Sequence, residues 1–305
     1  MTAHPLSGVY AAAVTPLKPD STLDLEAVPV LLSFLASRGC HGALLLGTTG
    51  EGPSFSPAER EALLRSARAY RQQLPGFRLL AGTGTPSLSE TIDLTKLAFN
   101  LGCDGVVVLP PYYFRKATDD GLFNWFSELI RKAVPKDGSL LGYHFPGVAG
   151  VGFSLDLLAR LKDAFPTQFA GIKDSAHDAG FSKKLGKKFG ADLAVFSGTD
   201  SDFQLALEHH AAGCITAPAN LLSPGLRAIY DASWDGKDPS QTQQRVAEQR
   251  RILEKYMPFP PALKALLHRL HDLPRWTVKP PLVELTEEVE AQALRELAAY
   301  DGAGR

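Results

Sequence analysis

The chain has 305 residues, of which 45% are hydrophobic and 21% charged, a composition that suits a globular protein with a large core. Its 32 basic and 33 acidic residues nearly cancel, so we expect neither nucleic acid nor an anionic membrane as a partner. No apolar run approaches the roughly 20 residues of a membrane helix, and residues 1–7 lack a signal-peptide pattern. Three cysteines without C-x-x-C spacing are typical of reduced core thiols, and we expect a cytoplasmic protein.

Apolar runs alternate with segments of helical periodicity through most of the chain. The apolar runs predict strands at residues 9–17, 42–46, 78–83, 105–110, 140–145, 169–173, 193–197 and 213–217. The periodic segments predict helices at residues 25–35, 57–73, 88–101, 119–134, 155–165, 178–189 and 203–210, then a short helix opened by Ser223-Pro224. Because each strand is almost continuously apolar, we expect parallel strands covered on both faces. Eight such units predict an α/β protein of the (β/α)8 TIM-barrel class.

The end of the chain has a different organisation. The alternation stops near residues 233–239, and residues 241–256, 262–273 and 284–300 predict three helices separated by proline-rich breaks. We therefore expect a catalytic barrel over residues 1–232 and a helical C-terminal extension over residues 233–305. Within the barrel, Ser56-Pro57-Ala58-Glu59 is a capping box that marks a helix start. Pro29 indicates that the first helix begins later than its apolar pattern.

Reactive side chains follow several of the predicted strands. In a TIM barrel these positions meet at the carboxyl ends of the strands, where the chemistry occurs. Lys173 ends an apolar strand, a setting that favours the neutral amine needed to attack a ketone. An isolated lysine there would more often extend to solvent. However, Tyr143 ends the preceding strand, and residues 47–54 offer two hydroxyls and glycine-freed amides that suit a carboxylate. The set predicts a Schiff-base enzyme that acts on a 2-oxo acid.

The histidines do not form a metal motif. His209 and His210 are adjacent on a predicted helix and cannot both face one ion, and neither His144 nor His177 has a partner at ligand spacing. We therefore expect no metal, which disfavours a metal-dependent aldolase.

Six motifs resemble those of the dihydrodipicolinate synthase/N-acetylneuraminate lyase superfamily of class I, pyruvate-dependent aldolases. They occur in the family's order along essentially the whole chain. The motifs are G-T-T-G-E at 47–51, L-P-P-Y-Y at 109–113, Y-x-x-P at 143–146, G-I-K-D at 171–174, S-G-x-D at 197–200 and V-K-P-P-L at 278–282.

The resemblance implies roles for individual residues. Lys173 would form the Schiff base, Tyr143 would shuttle protons, and Thr49 would bridge to Tyr143. Tyr113 would come from a neighbouring subunit to complete the proton relay. The substrate-binding residues would be Thr48, Thr49, Ser175, Gly198, Asp200 and Ile215. The resemblance also implies no metal or organic cofactor, and a homotetramer built as a dimer of dimers.

The substrate is predicted from the segment after Y-x-x-P. Synthases of the family normally carry an arginine there for the second substrate's carboxylate, and the aligned residue here is Val148. The motifs are closer to 2-keto-3-deoxygluconate aldolases and neuraminate lyases, in which positions matching Ser175 and Asp200 face sugar hydroxyls. We therefore expect cleavage of a 2-keto-3-deoxy sugar acid to pyruvate and an aldehyde.

Three alternatives remain at this point. The first is 4-hydroxy-tetrahydrodipicolinate (dihydrodipicolinate) synthase, which condenses pyruvate with aspartate semialdehyde, with a displaced carboxylate-binding cation such as Arg115. The second is a Schiff-base dehydratase of the same family. The third is a non-catalytic sugar-acid-binding barrel, which the presence of both Lys173 and Tyr143 disfavours.

Overall fold

Eight parallel strands close into a barrel, in the order in which they occur along the chain. The structure is a computed structural model, and it describes residues 4–190 and 192–302. The last strand pairs with the first, so the sheet has no free edge. The strands are β1 (Gly8–Ala12), β2 (Gly42–Leu45), β3 (Arg78–Gly82), β4 (Gly105–Val108), β5 (Leu140–His144), β6 (Phe169–Asp174), β7 (Ala194–Ser197) and β8 (Gly213–Thr216). The predicted (β/α)8 barrel is confirmed.

Helices follow the strands around the outside of the barrel, and three more follow at the C-terminal end. The helices are α1 (Ala27–Ser37), α2 (Pro57–Arg71), α3 (Leu88–Asn100), α4 (Asp119–Ala133), α5 (Pro146–Ala149), α6 (Leu155–Ala164), α7 (Ala179–Phe189), α8 (Phe203–Glu208), α9 (Ala219–Trp234), α10 (Ser240–Glu254), α11 (Phe259–His271) and α12 (Glu287–Gly302). A 3-10 turn, Gly52–Ser54, precedes α2. Among the described residues, no helix combines the length and apolarity needed to cross a membrane.

The starts of α1 and α2 follow the predicted signals. The Ser56 hydroxyl accepts a hydrogen bond from the Glu59 amide, and the Glu59 carboxylate accepts one from the Ser56 amide at 2.8 Å. This is the capping box that the sequence predicts. Helix α1 begins at Ala27, so Pro29 lies in its first turn, where an N–H would have no intrahelical partner in any case.

The start of the last barrel helix differs from the prediction. A helix opening at Ser223-Pro224 is wrong, because α9 begins at Ala219 and Pro224 lies inside it. Pro224 removes one hydrogen bond from the helix interior. The turn before it is held in place instead by Asn220, whose Nδ2 donates to the Ala12 carbonyl of β1 at 2.8 Å. This buried contact between α9 and β1 sets the start of the helix at Ala219, although Pro224 locally indicates a later start.

Side chains of the strands form two apolar clusters. Along β1, Val9 and Ala11 point outward to the helices, and Tyr10 and Ala12 point into the barrel. This alternation is the period of two expected of a strand. The inner cluster fills the barrel, so the interior is packed and a site can lie only at one of its ends.

The C-terminal helices pack against the barrel helices and one another. Helix α10 contacts α8 and α9, and α11 contacts α9 and α12. The predicted boundary between residues 232 and 233 falls inside α9, which ends at Trp234. The extension therefore continues directly from the last barrel helix.

Candidate active site

A bulge in β6 directs Lys173 into the barrel. Leu140 of β5 pairs with Phe169, but Leu141 pairs with Gly171, so Ala170 is an extra residue in the ladder. Ala170 belongs to the inner cluster and Ile172 to the outer one. If residues 169–173 alternated strictly without a bulge, Ile172 would point inside and Lys173 outside. The bulge reverses this order, and apart from the glycine at position 171 nothing in the residues of β6 indicates it.

Lys173 and Tyr143 lie side by side on neighbouring strands. They are register partners in the β5–β6 ladder, and the Lys173 Nζ lies 4.2 Å from the centroid of the Tyr143 ring. Their exposed fractions are 4% and 6%, so both are largely removed from bulk water. The amine and the phenol therefore form one pair at the carboxyl end of the sheet.

A cavity of about 270 Å³ opens above this pair, and seven of the predicted site residues line it. They are Thr48, Thr49, Tyr143, Lys173, Ser175, Gly198 and Ile215. Gly198 is required for close approach, because a Cβ at this position would lie 1.9 Å from the Ser175 hydroxyl. The C-terminal extension closes part of the cavity with Arg250, the stretch 257–260 and Leu282. The site is thus assembled from both predicted parts of the chain.

Tyr113 lies outside this cavity. Its side chain is 76% exposed and packs edge-to-face on Phe114, with ring centroids 5.3 Å apart. Both aromatic rings lie on the connection between β4 and α4. An exposed aromatic pair of this kind is available for contact with another molecule.

Asp200 also lies away from the cavity lining. It is completely buried, and its Oδ1 pairs with Nη1 of Arg250 at 3.4 Å. Burial raises the pKa of Asp200 to about 6, and the nearby Arg250 charge partly opposes that shift. The predicted contact of Asp200 with a sugar hydroxyl stays a prediction, but Asp200 is not a lining residue of the cavity, whereas Arg250 is. Sequence reasoning missed Arg250, because nothing marks one arginine among several on a polar helix.

A second buried ion pair holds the loop that carries Thr48 and Thr49. The Glu51 carboxylate accepts hydrogen bonds from Lys264 Nζ at 2.5 Å and from the Lys279 amide at 2.8 Å. Lys264 Nζ also donates to the Thr277 carbonyl at 2.6 Å. Burial lowers the pKa of Lys264, and Glu51 opposes that shift. Sequence reasoning missed this pair, although a lysine within the apolar start of α11 was a visible signal.

Two histidines lie near the site. His177 lines the cavity and its Nδ1 lies 3.3 Å from the Thr199 hydroxyl. His144 is buried, accepts a hydrogen bond from the Phe153 amide at 2.9 Å and stacks on Phe181. Burial lowers the pKa of His144. Within residues 4–190 and 192–302, no group of three or more His, Cys, Asp or Glu side chains is placed to hold a metal ion.

A larger groove lies at the opposite end of the barrel. It has a volume of about 670 Å³ and is lined by His4, His210 and Trp234, near the amino ends of β1, β7 and β8. It contains none of the predicted site residues. Because barrel chemistry occurs at the carboxyl ends of the strands, the smaller cavity is the candidate active site.

The fold and site define a class, the (β/α)8-barrel enzymes that hold a buried lysine and a tyrosine in a cavity above the sheet. The chain belongs to the dihydrodipicolinate synthetase family, whose family model matches residues 5–300. As a member of this family it is a carbon–carbon lyase. These assignments confirm the resemblance found in the motifs.

Curated relatives align with the chain over nearly its full length. A protein from Chloroflexus aurantiacus named "Uncharacterized DapA-like lyase" is 39% identical over 96% of both chains. A Streptomyces coelicolor protein named "4-hydroxy-tetrahydrodipicolinate synthase 1" is 33% identical over 98% of this chain and 96% of its own.

Solved structures share the fold. Dihydrodipicolinate synthase from Agrobacterium tumefaciens is 34% identical, with a TM-score of 0.86 over 98% of this chain and 99% of its own. YagE from E. coli K12, solved in complex with pyruvate, is 25% identical, with a TM-score of 0.90 over 97% of this chain and 99% of its own.

Proposed function

We propose that the protein is a Schiff-base (class I) aldolase that cleaves a 2-keto-3-deoxy sugar acid to pyruvate and an aldehyde. The observation that carries this proposal is the buried pair of Lys173 and Tyr143 in one cavity with Thr48 and Thr49. The pyruvate complex of YagE and the lyase name of the Chloroflexus relative support it. The proposal includes no metal and no organic cofactor.

Lys173 supplies the electron sink. Its amine attacks C2 of the keto acid, and loss of water gives a protonated imine. The C3–C4 bond then breaks, its electron pair moves into the imine to form an enamine, and the C4 hydroxyl loses its proton as the aldehyde forms. Protonation of the enamine at C3 and hydrolysis of the imine release pyruvate and return the amine. Because Lys173 is buried, bulk water has little access to these intermediates and does not compete in the proton transfers.

Tyr143 is placed to move the protons. A phenol gives and takes a proton without carrying permanent charge, and its ring lies directly beside the Lys173 amine. Thr48 and Thr49 would hold the C1 carboxylate, which sets the position of C2 against the amine. Glu51 and Lys264 fix the loop that carries both threonines.

The wall of the cavity favours an uncharged tail. Val148 lines the cavity at the position where family synthases carry an arginine. Val148 is 41% exposed and offers no counter-charge, so a substrate carboxylate there would lack the charged hydrogen bonds of an arginine, each contributing about 1.5–3 kcal/mol. Hydroxyl groups carry a much smaller desolvation cost. This supports a sugar acid over a substrate with a second carboxylate.

The synthase reaction is a second candidate. The stem of Arg115 packs against Gly150, two residues beyond Val148, so a cation does lie near that loop. Several relatives also carry the synthase name. In this case Arg115 would bind the carboxylate of aspartate semialdehyde in place of the missing arginine.

A substrate panel separates these reactions. We expect wild-type protein to release pyruvate from 2-keto-3-deoxygluconate or a close relative, measured by a coupled lactate dehydrogenase assay. Efficient condensation of pyruvate with aspartate semialdehyde, abolished in Arg115→Ala, together with no cleavage of any sugar acid, would instead establish the synthase. Loss of the sugar acid without pyruvate release would indicate the dehydratase.

Replacement of the phenol tests proton transfer. We expect Tyr143→Phe to keep the fold, because only a buried hydroxyl is removed, and to lower kcat by roughly two to four orders of magnitude. Steady-state kinetics and circular dichroism provide the two readouts. A kcat equal to that of wild type would exclude Tyr143 from the mechanism.

We also propose a cytoplasmic homotetramer, a dimer of dimers. The exposed Tyr113–Phe114 pair supports an intersubunit contact in which Tyr113 completes a neighbour's proton relay. The unpaired, buried cysteines fit a reducing compartment. Sedimentation of wild type and of Tyr113→Ser/Phe114→Ser tests the assembly, which should weaken in the double variant. A wild-type monomer with full activity would contradict it.

A further inference from the structure

Arg250 reaches the cavity from the C-terminal extension with its guanidinium held on three sides. Its Nε donates to Glu254 at 2.8 Å, its Nη1 contacts Asp200 at 3.4 Å, and Phe259 lies under its plane at 5.0 Å from the ring centroid. The side chain is only 7% exposed. These contacts fix both the position and the orientation of the group before any substrate binds.

The remaining nitrogen of Arg250 is unused. Nη2 makes no hydrogen bond with any residue that the structure describes, and Arg250 lines the same cavity as Lys173. A guanidinium is donor-only, so this nitrogen offers N–H groups that need acceptors. Nη2 is not among the buried atoms that lack a partner, so its N–H groups are accessible, and an acceptor from the substrate would complete the arrangement.

The β7–α8 loop that carries Asp200 is itself tied to the helix of Arg250. Gln243 of α10 donates from Nε2 to the carbonyl oxygens of Asp200 and Ser201, at 2.9 and 2.8 Å. The arginine, its carboxylate partner and the loop therefore form one unit. A unit fixed in this way is suited to discriminating between tails of different shape.

The charge around Arg250 selects the kind of acceptor. One guanidinium faces two carboxylates, the buried Asp200 and Glu254, which is 48% exposed. A third negative charge, on the tail of a substrate, would be repelled by both. A neutral hydroxyl oxygen accepts from Nη2 without that repulsion.

We infer that Arg250 is a specificity-determining residue whose Nη2 donates to a hydroxyl oxygen in the uncharged tail of the 2-keto-3-deoxy acid. This inference rests on the proposed function, since the tail belongs to the proposed substrate. In this inference Arg250 contacts the substrate tail, whereas the sequence led us to expect that contact from Asp200. Asp200 is then a positioning residue for the guanidinium.

The test compares two substrates that share the reacting atoms. One is 2-keto-3-deoxygluconate, whose tail carries hydroxyls, and the other is 4-hydroxy-2-oxopentanoate, whose tail is a methyl group. The quantity measured is the ratio of their kcat/KM values. We expect Arg250→Lys, which retains the charge beside Asp200, to lower this ratio about tenfold, roughly the value of one hydrogen bond.

Two further variants keep the test independent of folding. Asp200→Asn/Arg250→Met removes both charges together, so no unpaired charge is buried, and it should lower the ratio by a similar factor. Arg269→Lys is the matched control, because Arg269 also pairs with a buried carboxylate, that of Glu290, but lies outside the cavity. It should leave the ratio within twofold of wild type. Melting temperatures identify any variant that does not fold.

The outcomes separate this inference from the proposed function. A ratio unchanged in both Arg250 variants, with both acids cleaved, overturns the role of Arg250 and leaves the aldolase intact. A wild-type protein that forms the pyruvate imine but cleaves neither acid refutes the proposed function, and the inference with it. A wild-type preference for 4-hydroxy-2-oxoglutarate that is lost in Arg250→Lys would overturn the neutral tail in favour of an anionic one.

Discussion

Two buried ion pairs join loops of the barrel to the C-terminal helices, and they differ in how completely they are hydrogen-bonded. Glu51 accepts from Lys264 and from the Lys279 amide, and Lys264 donates in addition to a carbonyl oxygen. Asp200 pairs with Arg250 at 3.4 Å and has a further side-chain interaction with Thr216, but its Oδ2 has no hydrogen-bond partner among the described residues. The first pair is satisfied by the protein itself, whereas the second is incomplete.

The difference separates structural from functional polar groups. A buried charge pair with all its hydrogen bonds in place behaves as a fixed connection, here between the Thr48–Thr49 loop and α11. In the incomplete pair, Arg250 lines the cavity and keeps N–H groups of Nη2 that can donate to a ligand. The extension therefore does two things: it secures one end of the site and supplies a side chain to the other.

Breaking the satisfied pair should have the largest effect on stability. We expect Lys264→Met to lower the free energy of unfolding by about 3–5 kcal/mol, because Glu51 would remain buried without its counter-charge. Urea denaturation monitored by circular dichroism measures this loss. The control is Lys132→Met, whose exposed pair with Glu128 should contribute under about 1 kcal/mol. Equal losses in the two variants would show that the Glu51–Lys264 connection is not structural.

The incomplete pair should respond to pH. The pKa of Asp200 is raised to about 6 in the folded protein, so the folded state favours the protonated carboxyl. The protonated carboxyl of Asp200 therefore makes its full contribution to the free energy of unfolding below pH ~4. This contribution is lost as the pH rises through about 6. Relative to Asp200→Asn, we expect wild type to lose stability on the order of 2 kcal/mol between pH 4 and 7, since each unit of pKa shift corresponds to about 1.4 kcal/mol. If the free energy of unfolding of wild type and of Asp200→Asn changed equally with pH, this account would be contradicted.

A smaller effect on stability is expected from the side chain of Lys279, which lies next to the Glu51–Lys264 pair. The Lys279 side chain pairs with Glu59 and lies over the Phe55 ring, but both charged groups are partly exposed. We expect Lys279→Met to cost only about 1 kcal/mol, because its backbone amide still donates to Glu51. The same denaturation experiment measures it. A loss as large as that of Lys264→Met would place the critical charge at Lys279.

The sequence predicted the parts of the molecule that depend on local pattern. Short windows of sequence show these features: the continuous apolar strands, the Ser56 capping box, and strand-end residues such as Lys173 and Tyr143. The structure brings seven of the predicted site residues to one cavity, as barrel geometry requires. Tyr113 as a neighbour's residue stays a prediction.

The features that were missed depend on contacts between distant segments. Glu51 and Lys264 are 213 residues apart, and Asp200 and Arg250 are 50 apart. Pairing of this kind has no local signature. The bulge at Ala170 was missed for a related reason, because it is defined by the register of β5 against β6 and not by either strand alone.

The most direct test of the central claim is covalent trapping of the imine. Pyruvate with borohydride should reduce one imine per chain and add a single stable mass, and peptide mapping should place it on Lys173. Lys173→Ala should remain unlabelled, whereas Lys132→Ala, which removes an exposed lysine that does not line the cavity, should be labelled like wild type. Labelling of Lys173→Ala at the wild-type level, or no labelling of wild type, would contradict the assignment of Lys173 as the nucleophile.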